Sequence, residues 1–247
     1  MKRVLTGTAL LMVGFAVSCR SGGERTEVAL MEAPPPGAAM PPPPGQAVRV
    51  GGSDAVVTLD AKGNYRAPKV SLDTPLPVGY PAPTPPGAIE LKTYPAVRRA
   101  EVTGESNPDR GMNQAFWPLF RHIQGHDIAM TTPVEVDYKG LEGRADPEPD
   151  SWTMAFLYRT PDLNGTGQEG KVTVRDAAPV TVVSAGVRGD YGMGSLRKGM
   201  ELVEQWLGEN PEWEAAGDWR MLNYNGPQLR WWNKWAEVQI PVRRRGA

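Results

Sequence analysis

The sequence has one cysteine in 247 residues, so it can form no internal disulfide and no cysteine-based zinc site. Two histidines limit imidazole chemistry to His122 and His126. Charge of one sign is also missing. Against 28 acidic residues stand 27 basic ones, and the net charge of -1 gives no field to draw in a polyanion, so nucleic acid is not an expected partner. The one basic run, Arg243 to Arg245, reads as a solvated tail. No apolar stretch reaches the roughly 20 residues that a membrane-spanning helix needs. Nucleophile-elbow, phosphate-loop, paired metal-ligand and C-x-x-C motifs are absent, so catalysis has no motif to stand on, and a binding protein is expected rather than an enzyme.

Proline is abundant, and much of it lies in the first third. After Lys2 and Arg3 comes an apolar run, Val4 to Val17, of signal-peptide length, ending in Ala16-Val17-Ser18-Cys19. This ending resembles the lipobox of bacterial lipoproteins, with Ala16 where a leucine usually stands. The resemblance implies a signal peptide over residues 1–19, acylation of Cys19, and a chain anchored in the bacterial cell envelope on the periplasmic or outer-membrane side. Residues 20–87 carry Pro34 to Pro36, Pro41 to Pro44 and six prolines between Pro75 and Pro86, and read as a largely disordered tether. Some alternation around Asp60 to Asn64 suggests a small hairpin, weighed against a flexible spacer.

The compact region is expected over residues 88–243, as an α+β domain in which one pattern occurs twice. Strand-like Ile89 to Val102, helix-like Met112 to Ile123, and strands Ile128 to Tyr138 and Trp152 to Arg159 are matched by Val172 to Val187, Ser195 to Glu209, Arg220 to Tyr224 and Trp235 to Val242. The helices share an apolar spacing: Met112, Phe116, Leu119 and Ile123 correspond to Leu196, Met200, Val203 and Leu207. The strands alternate with period two. Two βαββ repeats closing into a distorted barrel-like antiparallel sheet flanked by two helices follow from this. Pro118 lies inside the first helical pattern and predicts a kink there, or a helix that starts near Trp117.

Phe120-Arg121-His122-Ile123-Gln124-Gly125, followed by Ile128-Ala129-Met130-Thr131-Thr132-Pro133-Val134, resembles the SOUL haem-binding family. Tyr94 to Arg99, Met154 to Leu157 and Trp235 to Val242 support the likeness. It implies an eight-stranded barrel-like sheet and a site for haem or another tetrapyrrole between the first helix and the loop joining the last two strands. On this chain the helix offers Met112, Phe116, Leu119 and His122, and the loop, Asn225 to Lys234, offers Arg230, Trp231 and Trp232. For Leu119 and Met112 the competing reading is core packing. For Trp231 and Trp232 it is packing near Trp206 or Trp213.

A tetrapyrrole needs apolar area, a cation for its propionates and an axial ligand for its iron. Arg230, Arg121, Arg98 and Lys198 are the cation candidates. The iron-ligand candidates are His122, His126 and Met130, with surface or capping roles as the alternative for the histidines. The two-repeat fold is also similar to small-molecule-binding and hydrolase domains related to the GyrI family, where Glu201, Glu204 or Tyr224 would act. A structural or protein-binding envelope module is the third reading.

Overall fold

The computed structural model describes residues 26–27, 40–105, 107–141 and 148–246. Cys19 and the proposed signal peptide lie outside the described residues. The first strands are β1 (Thr26–Glu27), β2 (Ala47–Gly52), β3 (Thr58–Leu59), β4 (Tyr65–Ala67) and β5 (Val70–Leu72). They are followed by β6 (Ala88–Tyr94), β7 (Val97–Gly104), helix α1 (Pro108–Gly125), β8 (Val134–Lys139) and β9 (Ser151–Leu157). The remainder comprises β10 (Gly167–Glu169), β11 (Val172–Ala177), β12 (Val180–Arg188), helix α2 (Met193–Glu209), β13 (Trp213–Ala215), β14 (Trp219–Asn223) and β15 (Trp235–Arg244). Among the described residues no helix is long and apolar enough to cross a membrane.

The main sheet is antiparallel and runs β10-β11-β7-β9-β8-β14-β15-β12-β6-β2, with β13 paired to β15. The fold is therefore α+β with a large antiparallel sheet and two helices. Among the described residues the expected eight strands become eleven, and the hydrogen-bonded path is open, ending on β10 and β2. Each helix follows one long strand and precedes others of the same sheet. The leading strands exchange sides: β6 pairs with β12 of the later half, and β11 pairs with β7 of the earlier half. Arg243 and Arg244 are not a loose tail, because both continue β15 in register with β13, and Arg243 Nε lies 2.7 Å from Glu214 Oε1.

Helix α1 starts where its sequence dictates. Asn107 caps it by accepting from the Asp109 amide at 3.0 Å, and Pro108 fills the first turn, where its missing N–H costs nothing. The helix runs on through Pro118, so the late start does not occur. Helix α2 closes on Asn210, whose side-chain amide donates to the Trp206 carbonyl at 2.7 Å. It packs hard against the sheet, since a Cβ on Gly199 would lie 2.3 Å from Val238 Cβ.

Period two sorts the sheet into two faces. In β15, Ala236, Val238, Ile240 and Val242 join the apolar core under the helices, while Glu237 and Gln239 point the other way and are also fully buried. What buries them is the segment before β6. Strand β2 extends the main sheet beside β6, and β1-β3-β4-β5 form a separate small sheet. Val57, Val70, Leu72 and Leu76 cluster with Tyr94, Val182, Leu222, Tyr224 and Trp235.

Residues 40–87 are thus part of the folded body and not a disordered tether, although the small turn from Asp60 to Asn64 does form, with Asp60 Oδ1 accepting from the Lys62 and Asn64 amides at 2.9 and 3.0 Å. The strap lies close to the sheet at Gly186, where a Cβ would sit 2.1 Å from the Pro85 carbonyl oxygen.

Beneath the strap lies a charged interior. Lys92 and Glu237 are both wholly buried, with Nζ 2.9 Å from Oε1, and Lys92 also donates to the Ala82 carbonyl at 2.7 Å. Glu237 further accepts from the Thr84 amide, Ser184 Oγ and Tyr224 Oη at 2.7, 2.6 and 2.8 Å. Burial pushes the Glu237 carboxyl up, but Lys92, Ser184 and the Thr84 amide outweigh it and hold it below its ordinary value.

A neighbouring group joins Arg99, Arg220, Glu135 and Asp137. Here burial, then the Glu135 charge, pushes the Asp137 carboxyl up to about 6. The stretch Thr131-Thr132-Pro133 ties these layers together. Thr131 Oγ1 donates to the Leu157 carbonyl, Thr132 Oγ1 to the Tyr224 carbonyl at 2.7 Å, and the Thr132 amide to the Pro75 carbonyl of the strap at 3.0 Å.

Candidate functional site

On α1 the spacing Asp109, Met112, Phe116, Phe120 places four side chains along one edge. Met112, Phe116 and Phe120 are half-buried and pack against the core. Phe116 meets Phe156 edge-on at 5.2 Å and stacks on Phe120 at 5.8 Å. Trp117 stands beside them at 57% exposure. At the head of this edge, the Asp109 carboxylate lies 3.5 Å from where a Cβ on Gly192 would sit. Gly192 caps α2, so the starts of the two helices meet, and a carboxylate stands near both positive helix ends.

The loop between β14 and β15 arrives at the same place. Tyr191, next to Gly192, accepts from the Asn225 amide at 2.7 Å through its hydroxyl, which donates to the Trp235 carbonyl at 3.3 Å. Lys234 Nζ sits 4.8 Å above its ring, and the Trp235 amide donates to Asn225 Oδ1 at 2.7 Å, closing the base of the loop. Burial pushes the Tyr191 hydroxyl well up, so it stays protonated.

The tip is a single 3-10 turn, Trp231–Asn233. Trp231 is 59% and Trp232 39% exposed, with their rings 5.4 Å apart at right angles. The Arg230 guanidinium lies 5.3 Å over the Trp232 ring.

The starts of α1 and α2 and the base of the loop that carries Arg230, Trp231 and Trp232 therefore adjoin. Two helix candidates are buried. Leu119 is wholly buried in the core and has no surface to offer a ligand. His122 is buried with both ring nitrogens engaged, Nδ1 at 2.9 Å from Glu169 Oε2 and Nε2 at 2.9 Å from Tyr158 Oη.

His126 follows the helix and lies 2.8 Å from the same Glu169 oxygen. Met130 is half-buried against the core. The packing of Trp231 and Trp232 on Trp206 or Trp213 does not occur; those two are buried and pair with each other at 6.4 Å. Arg98 is paired with Asp176 at 2.8 Å, Arg121 donates to the Trp117 carbonyl at 3.4 Å, and Lys198 is exposed. Glu201 and Glu204 are solvent-facing, and the Tyr224 hydroxyl is locked onto Glu237. Phe120, Trp117, Tyr191 and Lys234 were not anticipated. The first was readable as one helical turn beyond Phe116, whereas Tyr191 reaches the site only through the meeting of the two helix starts.

The SOUL heme-binding protein model matches residues 81–241, about two thirds of the chain. The chain belongs to the SOUL haem-binding family. The match takes in both helices, strands β6 to β14, most of β15, the loop of Trp231 and Trp232, and the last residues of the strap. No curated protein matches this SOUL chain significantly.

Among solved structures, the C-terminal domain of EcmrR is similar to it at 17% identity with a TM-score of 0.53, over 63% of this chain and 97% of that one. A cryo-EM structure of an EcmrR–DNA complex is similar at 16% identity and a TM-score of 0.52, over 63% of this chain and 57% of that one, so the SOUL chain spans little more than half of that protein. A hydrolase from Listeria innocua aligns at 13% identity and a TM-score of 0.48, over 66% of this chain and 94% of that one. At these identities the likeness to EcmrR is one of fold.

Proposed function

We propose that this protein binds haem or a related tetrapyrrole in the cleft bounded by the Met112–Phe116–Phe120 edge of α1 and the Arg230–Trp232 turn, and that it does so at the cell envelope, anchored through Cys19. The observation that carries the reading is the exposure of Trp231 and Trp232 beside Arg230. Water-facing indole rings on a turn anchored at both ends need a partner surface, and a flat macrocycle matches them by stacking. Arg230 and Lys234 flank those rings, and their charges suit the two propionates. Met112 supplies a thioether on the α1 edge, and haem, when bound, adds redox and axial-ligand chemistry at its iron. Membership of the family supports the cargo.

The test is titration of the full chain with haem, followed in the Soret band. A saturable one-to-one shift is expected. In Trp231→Ala and Arg230→Ala, loss of about 1 to 2 kcal/mol of stacking or ion pairing would weaken binding roughly tenfold each. Adsorption that never saturates, or affinity unchanged in a Trp231→Ala/Trp232→Ala variant, would overturn the assignment of the cleft. The anchor is tested separately. Palmitate labelling of cells is expected to disappear with Cys19→Ala, and label that survives the substitution rejects it.

A further inference from the structure

The far end of α1 holds a second cluster of ligand-type side chains, about 15 Å along the helix from Met112 and outside the cleft. His122 in the last turn and His126 at the cap lie one turn apart, with ring centroids 4.6 Å from each other. Strand β10 presents Glu169 to them. Its Oε2 is 2.9 Å from His122 Nδ1 and 2.8 Å from His126 Nε2. Both histidines of the chain thus face one carboxylate oxygen, and one ligand atom from each residue lies within 4.8 Å of the others.

We propose that His122, His126 and Glu169 form a three-ligand site for a divalent transition-metal ion of the zinc type, with the remaining coordination position open to water. The donor set of two imidazoles and one carboxylate, without thiolate, suits zinc and its borderline neighbours copper and nickel.

The support around the donors is uneven in a useful way. His122 is only 6% exposed and is fixed by Tyr158, whose hydroxyl oxygen lies 2.9 Å from Nε2. When Nε2–H donates to that oxygen, the Nδ1 lone pair faces Glu169. Lone pair against carboxylate is repulsive without a cation between them and is a coordination bond with one. His126 and Glu169 have side chains 36% and 65% exposed. Tetrahedral coordination with bonds of about 2.0–2.1 Å sets donor atoms roughly 3.3 Å apart, so the two imidazole–carboxylate separations of 2.9 and 2.8 Å open slightly to admit the ion, and His126 and Glu169, being exposed, make that adjustment around the fixed His122. The site is independent of the tetrapyrrole reading.

The experiment uses the metal-free full chain. Titration with Co²⁺ is expected to give a one-to-one visible band of tetrahedral intensity, displaced stoichiometrically by Zn²⁺, with the zinc affinity read by competition against a chromophoric chelator. His126→Ala and Glu169→Gln alter exposed side chains and should leave the melting temperature of the metal-free protein near wild type, while each weakens zinc binding at least about tenfold. Haem titration of the same variants should be unchanged, which separates this site from the cleft. No stoichiometric Co²⁺ band in the wild type, or zinc affinity unaltered in the His126→Ala/Glu169→Gln double variant, overturns the proposal.

Discussion

Replacing Lys92 with methionine tests the charged interior beneath the strap directly. The side chain is wholly buried, and its ammonium group serves Glu237 at 2.9 Å, the Ala82 carbonyl at 2.7 Å and Glu90 at 3.5 Å. Methionine keeps the length of the chain and removes the cation, leaving Glu237 buried with hydrogen-bond donors but no fixed positive partner. Stranding one member of a buried pair costs about 3–5 kcal/mol, and the donors from Thr84, Ser184 and Tyr224 that remain place the expected loss near the lower end, about 3 kcal/mol at pH 7.

The sign with pH follows from the carboxyl. In the wild type Glu237 is held below 4.5, so its contribution is present above that value and is lost as pH falls through the folded pKa. In the variant, burial without the cation raises it above its ordinary value, so the penalty builds as pH rises and is smallest at acid pH, below the folded pKa of the wild type. Urea unfolding followed by fluorescence of the buried Trp213, Trp219 and Trp235 measures this. The double variant Lys92→Met/Glu237→Gln should recover a large part of the loss. A cost under about 1 kcal/mol at pH 7, a cost that does not shrink on acidification, or a double variant no more stable than Lys92→Met would refute the reasoning.

Gly186→Ala should pry the strap from β12, because the new methyl would meet the Pro85 carbonyl at 2.1 Å; limited proteolysis is expected to cut within residues 53–87 of the variant and to spare the wild type. Asp137, raised from 3.8 to about 6, contributes stability that is full below the lower value and is lost as pH rises through the upper one, so Asp137→Asn should remove that decline from a plot of urea midpoint against pH. Gly199→Ala should destabilise the protein by about 1–3 kcal/mol in the same assay, since its methyl would overlap Val238.

Both helices and the alternation of the long strands were legible because each depends on local spacing. The run Ile89 to Val102 proved to be two strands, separated at Pro95 and Ala96, and Val172 to Val187 likewise divides at Ala178 and Pro179. That β6 and β7 pair with distant partners and not with each other has no local signature.

The strap escaped detection for a physical reason. Val57, Val70, Leu72 and Leu76 are too widely spread to show a period, and their burial depends on a sheet face completed by residues as far off as Trp235. The same cover inverts the usual reading of alternation. Glu90, Lys92, Glu237 and Gln239 sit at positions that ordinarily face water, and here they form an interior. In the cleft, the helix edge and the tryptophan pair were readable as residue types. Whether the indoles turned inward or outward depended on where the second helix begins.

The exchange of leading strands constrains how the chain can be made. Strand β6 has β2 on one flank but must wait on the other until β12 has been synthesised, and β7 stays open on one flank until β11 arrives. Assembly therefore behaves like lacing, in which neither side holds until the last crossing is drawn. An early stop, a split-gene experiment or excision of either half leaves unpaired edges in both, and the expected product is aggregate rather than half a working molecule.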